Sequence, residues 1–330
     1  MIKISVDRLE WFFEQFKEKK ILVIGDLMLD RYVWGVVNRI SPEAPVPVVE
    51  VTNEFIRLGG AANVANNLAS LGASPIPIGV VGNDVEGQQL IELMRTLKFA
   101  TDWIAIDDSR PTVVKTRIIA NDQHVVRADR ESRISINSSI MNKILHAINC
   151  NIQDVDAIIL EDYNKGLLSK ELIGEIIAIA KQHQKIITVD PKFDNFFEYK
   201  NVTLFKPNRK EAEAALGIKI GSIDQVEQAC RLMMDRLACE VVLMTLGDQG
   251  MCLLTSRGEF NQIPTKARKV HDVSGAGDTV IGTLTLVLAS GGELKEAVTL
   301  ANHAAGVVCG EVGVVPIEPE KLRESLAEST

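Results

Sequence analysis

The feature that most constrains this chain is a recurrence of short apolar runs, most of which stop on an acid or a glycine. They are "ILVIGD" (21–26), "DAIILED" (156–162), "KIITVD" (185–190), "TLFKP" (203–207) and "EVVLMTLG" (240–247). Runs this short and this continuously apolar suit strands covered on both faces. Helical spacing fills most of the intervals, for example at 169–183, 210–216 and 224–237. Strands alternating with helices imply an α/β fold, a doubly wound and mostly parallel sheet with helices on both sides. The 330 residues suffice for one large core of this kind, so a single domain is expected over 1–330. In open α/β sheets ligands gather at the carboxyl ends of the strands, which makes the terminal acids and glycines candidates for a site.

Two stretches break the alternation. "RYVWGVVNRISPEAPVPVVEVTNEFIRL" (31–58) carries three prolines and β-branched alternation without a helical period. "PTVVKTRIIANDQHVVRAD" (111–129) reads as a hairpin turning at "ANDQ". Parallel crossovers need helices, and neither stretch supplies one. Together, at about 31–58 and 111–130, they read as a small antiparallel flap whose apolar face must cover a ligand, a partner subunit, or both.

The chemistry concentrates where glycines precede helices. In "DVSGAGD" (272–278), Gly275 and Gly277 let the backbone approach a ligand, and the following apolar run reads as a buried helix. Unpaired N–H groups and a positive dipole end at Gly275, Ala276 and Gly277 would form an anion hole, with Asp278 placed to take a proton from a hydroxyl. A plain helix start with an acid in its first turn gives the same pattern. "GGAANVANNLASLG" (59–72) repeats the theme: Gly59, Gly60 and Asn63 could meet sugar hydroxyls, whereas its alanines also suit close helix packing. Asp30, just beyond the first strand, is either a ligand for hydroxyls or a solvated loop acid. Asn208 and Glu211 in "KPNRKEAE" could hold the water shell of Mg²⁺, or form a helix-capping box. "TLGDQG" (245–250) suits a phosphate loop or a hairpin.

Composition and missing motifs exclude much else. A net charge of −8 argues against nucleic-acid or anionic-membrane partners. No apolar run reaches the ~18 residues of a membrane span, and the amphipathic N-terminus has no signal-peptide core. Five scattered cysteines without C-x-x-C read as reduced thiols, and a cytoplasmic location is expected. There is no G-x-x-x-x-G-K-[ST], no G-x-G-x-x-G after the first strand, and no H-E-x-x-H.

Taken in order, "GGAANVANNLASLG", "PNRKEAE" and "DVSGAGDTVIGTLT" resemble the signatures of the ribokinase-like (PfkB) carbohydrate kinase family over essentially the whole chain. The opening "GDLMLDRYVWGVVNRISPEAPVPVVEV", with its "RISPEAPVPV" run (39–48), and "DPK" (190–192) are similar to the branch of that family acting on D-glycero-β-D-manno-heptose 7-phosphate. Two family motifs are varied: "EDYNKG" (161–166) stands where relatives often read "SDYAKG", and "ANHAAG" (301–306) replaces "ANAAAG".

The resemblance implies ATP-dependent phosphorylation of the sugar phosphate at its anomeric O1, within ADP-heptose synthesis for lipopolysaccharide. It implies Asp278 as base, an anion hole at Gly275, Ala276 and Gly277, and sugar contacts from Asp30, Gly59, Gly60 and Asn63. Asn208, Thr245, Gly247, Gly250 and Asn302 would line the ATP site. Mg²⁺ would be held by Glu211 and Asn208 through water, and a monovalent cation such as K⁺ by Asp272. The substrate's phosphate needs cations, and Lys115, Arg117 and Arg127 on the flap are the candidates; a charged edge strand is the alternative for them. The resemblance also implies a homodimer paired through the flap, and a separate nucleotidyltransferase acting later, since no H-x-G-H follows the kinase signatures. A kinase for another sugar, or a sugar-phosphate-binding regulator without catalysis, remains open.

Overall fold

The computed structural model describes residues 2–121, 123–267 and 270–327. Nine strands form the main sheet: β1 (Lys20–Gly25), β4 (Ser74–Gly82), β5 (Ile104–Asp107), β8 (Ala157–Glu161), β9 (Ile186–Asp190), β10 (Leu204–Phe205), β11 (Val241–Thr245), β12 (Met251–Thr255) and β13 (Phe260–Ile263). Their order is β13-β12-β11-β10-β9-β8-β1-β4-β5. From β5 to β11 every pairing is parallel, and only the β11–β12–β13 edge is antiparallel.

The sheet is wound on both faces because its strands are apolar on both. In β1, Ile21 and Val23 enter one core with Phe12, Leu68, Leu284 and Leu300. Leu22 and Ile24 enter the other with Ile144, Ile173, Val226 and Met233. Successive side chains of a strand point to opposite faces, so one run of four apolar residues serves two helical layers. Most helices begin on residues that satisfy orphan N–H groups: Ser169, for example, accepts from Leu172 N, so the helix expected at 169–183 runs Lys170–Gln182. Among the described residues, no helix is long and apolar enough to cross a membrane.

The flap is a separate four-stranded sheet, β3-β2-β6-β7, built from β2 (Leu27–Ile40), β3 (Pro47–Gly60), β6 (Val113–Ala120) and β7 (Gln123–Arg130). Each hairpin is antiparallel, as expected, but β2 and β6 pair parallel and join the hairpins. That pairing is possible because the chain passes through helix Ala61–Ser70, β4, helix Val85–Thr96 and β5 between the hairpins, a crossover long enough to reset direction. Asp122 in the "ANDQ" turn lies outside the described residues. β2 is buried at its base and exposed at its tip, and β7 is exposed throughout.

Candidate active site

The carboxyl ends of β1, β8 and β9 converge beneath the flap, beside the N-terminus of helix Ala276–Ala289. Gly275 caps this helix at φ 81°, a left-handed conformation that favours glycine. A Cβ there would meet Asn63 Nδ2 at 2.9 Å. At Gly277 a Cβ would face Asp190 Oδ2 and Lys206 Nζ, at 3.4 and 3.5 Å.

Asp278, in the helix's first turn, is only 3% exposed. Asn63 Nδ2 donates to its Oδ2 at 2.7 Å, and the Tyr163 hydroxyl donates to its Oδ1 at 2.8 Å. Burial pushes Asp278 up to about 6; the two hydrogen bonds oppose that rise and Asp190 adds to it. Asn63 is held in turn by its own helix, where Asn67 bonds to it and to Thr279 on the facing helix. The alanines of "GGAANVANN" are buried in the packing between these helices, so the close-packing reading holds for them while Asn63 turns to the site.

A second layer of charge lies behind Asp278. Glu161, at the end of β8, is fully buried and neither carboxylate oxygen has a hydrogen-bond partner among the described residues. One oxygen each of Glu161, Asp190 and Asp278 lie within 4.8 Å of one another. Burial, then Asp190 and Asp278, push Glu161 well above the usual carboxylate range. Lys206 Nζ sits 2.7 Å from Asp190 Oδ2; burial opposes its charge, but Asp190 and Glu161 outweigh burial and hold it above its ordinary value. Two ammonium groups approach the Tyr163 ring, Lys115 at 4.6 Å and Lys192 at 5.0 Å from its centroid. Burial pulls the Lys115 ammonium down.

Asn208 and Glu211 form the capping box: Glu211 N donates to Asn208 Oδ1 at 2.9 Å, and Asn208 N to Glu211 Oε2 at 2.8 Å. Lys192 occupies Glu211 Oε1. With both oxygens engaged, Glu211 suits contact with a hydrated cation through water. The open oxygens of Glu161 and the neighbouring Asp190 add a hard-oxygen set of the kind divalent cations take, so the residues fit such an ion.

On the other side of the Gly277 backbone is a cavity of about 300 Å³, lined by Thr245, Gly247, Gly250, Asn302, Ala276 and Gly277, with Val273, Val280 and Cys309 as apolar wall. Asn208 stands beside it through its bridge to Thr245. "TLGDQG" is the turn between β11 and β12, as the hairpin reading has it, and also forms part of this wall.

The flap places Asp30 and Gly59 together: a Cβ on Gly59 would collide with Asp30 Oδ2 at 2.3 Å. Gly60, at φ 57°, caps helix Ala61–Ser70. The flap cations are committed unequally. Arg117 is buried against Asp30, Arg127 grips Asp129 through two 2.9 Å bonds, and Lys115 has no ion pair among the described residues. Asp272 accepts from Ser274 N and Gly313 N, tying two loops beside the helix start. Thus Asp278, Asn63 and the two glycines cluster; Asp30 and Lys115 face them from the flap; Arg127 lies at its exposed edge. Glu161 and Tyr163 enter the sequence reading only within "EDYNKG", Lys206 only beside Asn208 in "KPNRKEAE", and Asp190 and Lys192 within "DPK", with no role assigned to any of them there. Their signal is position alone: they end or follow strands of the parallel sheet.

The pattern of the pfkB family carbohydrate kinases matches residues 18–321. The chain is 47% identical over 295 residues to the bifunctional protein HldE of Helicobacter pylori strain J99, covering 89% of this chain and 64% of that protein. It is 43% identical over 319 residues to HldE of Pelobacter propionicus, covering 97% and 65%. It therefore spans a little under two thirds of the length of these relatives. Among solved structures, Escherichia coli phosphofructokinase-2 in complex with substrates and products superposes with a TM-score of 0.77 at 20% identity, covering 94% of this chain and 98% of that one. Arabidopsis thaliana ribokinase complexed with ribose and ATP gives 0.72 at 17%, covering 93% and 98%. The chain belongs to the pfkB family of carbohydrate kinases and is a sugar kinase of ribokinase-like fold.

Proposed function

We propose that the chain transfers the γ-phosphoryl group of ATP to O1 of D-glycero-β-D-manno-heptose 7-phosphate, giving the 1,7-bisphosphate. The observation that carries this reading is the position of Asp278, buried and hydrogen-bonded at a helix start between the 300 Å³ cavity and the flap. The cavity takes the nucleotide, and Asp30, Gly59, Gly60 and Asn63 take the sugar. Asp278 orients the anomeric hydroxyl and receives its proton as the O1–P bond forms and the bond to the β-phosphate breaks, releasing ADP. The N–H groups around Gly275, Ala276 and Gly277 face charge on the transferring group. A loose transition state makes positioning and electrostatics the main contributions, with proton removal late. Lys206, next to Gly277, adds positive charge at the same point.

Mg²⁺, when bound, supplies charge neutralisation between the phosphates; Glu211 and Asn208 would hold it through water, with Glu161 and Asp190 nearby. A monovalent cation at Asp272 would brace the loops that this side chain already joins; a solved structure of the E. coli phosphofructokinase-2 carries potassium. Exposed apolar residues on the flap, including Ile40, Val51 and Val126, support pairing of two copies there.

The test is ADP release with ATP and Mg²⁺ across heptose 7-phosphate, ribose, fructose 6-phosphate and adenosine. Turnover centred on the heptose supports the proposal. Preference for another of these sugars overturns the substrate and leaves the kinase, and sugar-phosphate binding without any turnover points to a regulator.

A further inference from the structure

We infer that Arg57 recognises the substrate's phosphate and sets the kinase's preference for a phosphorylated sugar. This rests on the phosphorylated-sugar reading above. Strand register puts Arg57 opposite Asp30, and Asp30 opposite Lys115. Directly paired residues project from the same face of a sheet, so the three side chains form one row across β3, β2 and β6. That face looks into the site, since Lys115 Nζ lies over Tyr163, whose hydroxyl bonds Asp278.

The ion pairs then leave Arg57 and Lys115 as the flap cations without an acid among the described residues. Asp30 takes Arg117, Asp129 takes Arg127, Asp84 and Glu86 take Arg130, and Glu131 takes Lys165. Among the described residues, no carboxylate pairs with Arg57. Its Nε is buried without an acceptor, and its guanidinium rests over the Phe55 ring at 5.2 Å. Arg57 as a whole is half-buried, and its buried Nε donor without an acceptor is costly unless something completes it. Phosphate does so best: its oxygens match the guanidinium fork bidentately, and Lys115 on the far side of Asp30 supplies a second charge. Asp30, already neutralised by Arg117, would then hold the sugar between the two cations. A heptose bonded at O1 to Asp278 carries its phosphate at the opposite end of the molecule, which directs it away from Asp278 and along this row.

The experiment compares wild type, Arg57→Ala and Arg57→Lys on heptose 7-phosphate and on the same heptose without phosphate, with thermal melting as a check on folding. Arg57→Ala is expected to lose about 30- to 100-fold in kcat/KM on the phosphorylated sugar, almost all in KM, and to act on the unphosphorylated sugar as wild type does. Arg57→Lys should recover part of the loss. Should Arg57→Ala keep the wild-type preference, or lose equally on both sugars, Arg57 is a structural residue and the inference fails while the substrate reading stands. Should the wild type itself show no preference for the phosphorylated heptose, the substrate reading fails first and this inference with it.

Discussion

Asn63 and Asp278, 215 positions apart in sequence, share a 2.7 Å hydrogen bond that joins the two glycine-led helices at a single carboxylate. Tyr163 takes the other oxygen, so Asp278 has a fixed orientation before any sugar arrives. Because Asp278, as the proposed base, must be ionised to accept a proton, and burial places its pKa at about 6, kcat/KM should rise with pH through about 6 and level off above it. Both donors hold the pKa down. Asn63→Ala or Tyr163→Phe should therefore move the acidic limb upward, and a pH–rate profile reads the shift. A limb that moves downward, or stays in place in both variants, contradicts this role.

The same carboxylate costs stability. Its folded pKa is raised from the ordinary 3.8 to about 6, so the folded state binds a proton more tightly than the unfolded chain between those values. The ionised form is thus a folding penalty that grows as pH rises from about 4 to 6 and is fully present above. By linkage it is on the order of 3 kcal/mol at neutral pH. Asp278→Asn should melt a few degrees above wild type at pH 7.5, with the gap closing toward pH 4. Calorimetry at the two pH values checks the sign.

Gly275 and Gly277 should fail differently when changed to alanine. At 275 the φ of 81° and the contact with Asn63 both oppose a Cβ, so the variant should lose about 1–2 kcal/mol of stability as well as activity. At 277 the nearest atoms are 3.4 and 3.5 Å away, ordinary contact distances, so the fold should tolerate alanine. On the proposed mechanism the methyl would nonetheless stand where the transferring phosphoryl group meets the backbone and Lys206, and turnover should drop about 10²-fold. Melting curves alongside initial rates separate the two cases.

The parallel core is legible in the sequence because each central strand is an unbroken apolar run between polar ends. β4 is harder to see: "SPIPIGVVG" carries Pro75 and Pro77. They are tolerated because β5 pairs only with Gly79–Gly82, leaving the proline segment with β1 as its one neighbour. Asp278 and Asn63 are legible because glycines before helices mark them. Glu161, Tyr163 and Lys206 are not, because strand pairing between distant segments brings them to Asp278. The flap cations show the limit most clearly. Spacing puts Lys115 and Arg117 on one face, but only the side-chain contacts of the folded chain reveal that Arg117 meets Asp30, that Arg127 turns to Asp129, and that Arg57 stands without an acid among the described residues.

The central claim, that Asp278 is the base for phosphoryl transfer to a heptose phosphate, is tested most directly by single-turnover phosphorylation of heptose 7-phosphate with wild type and Asp278→Asn at saturating ATP and Mg²⁺. The account predicts that the variant binds both substrates within a few-fold of wild type while its rate falls by about 10²–10⁴. A variant that transfers phosphate at near the wild-type rate would contradict it.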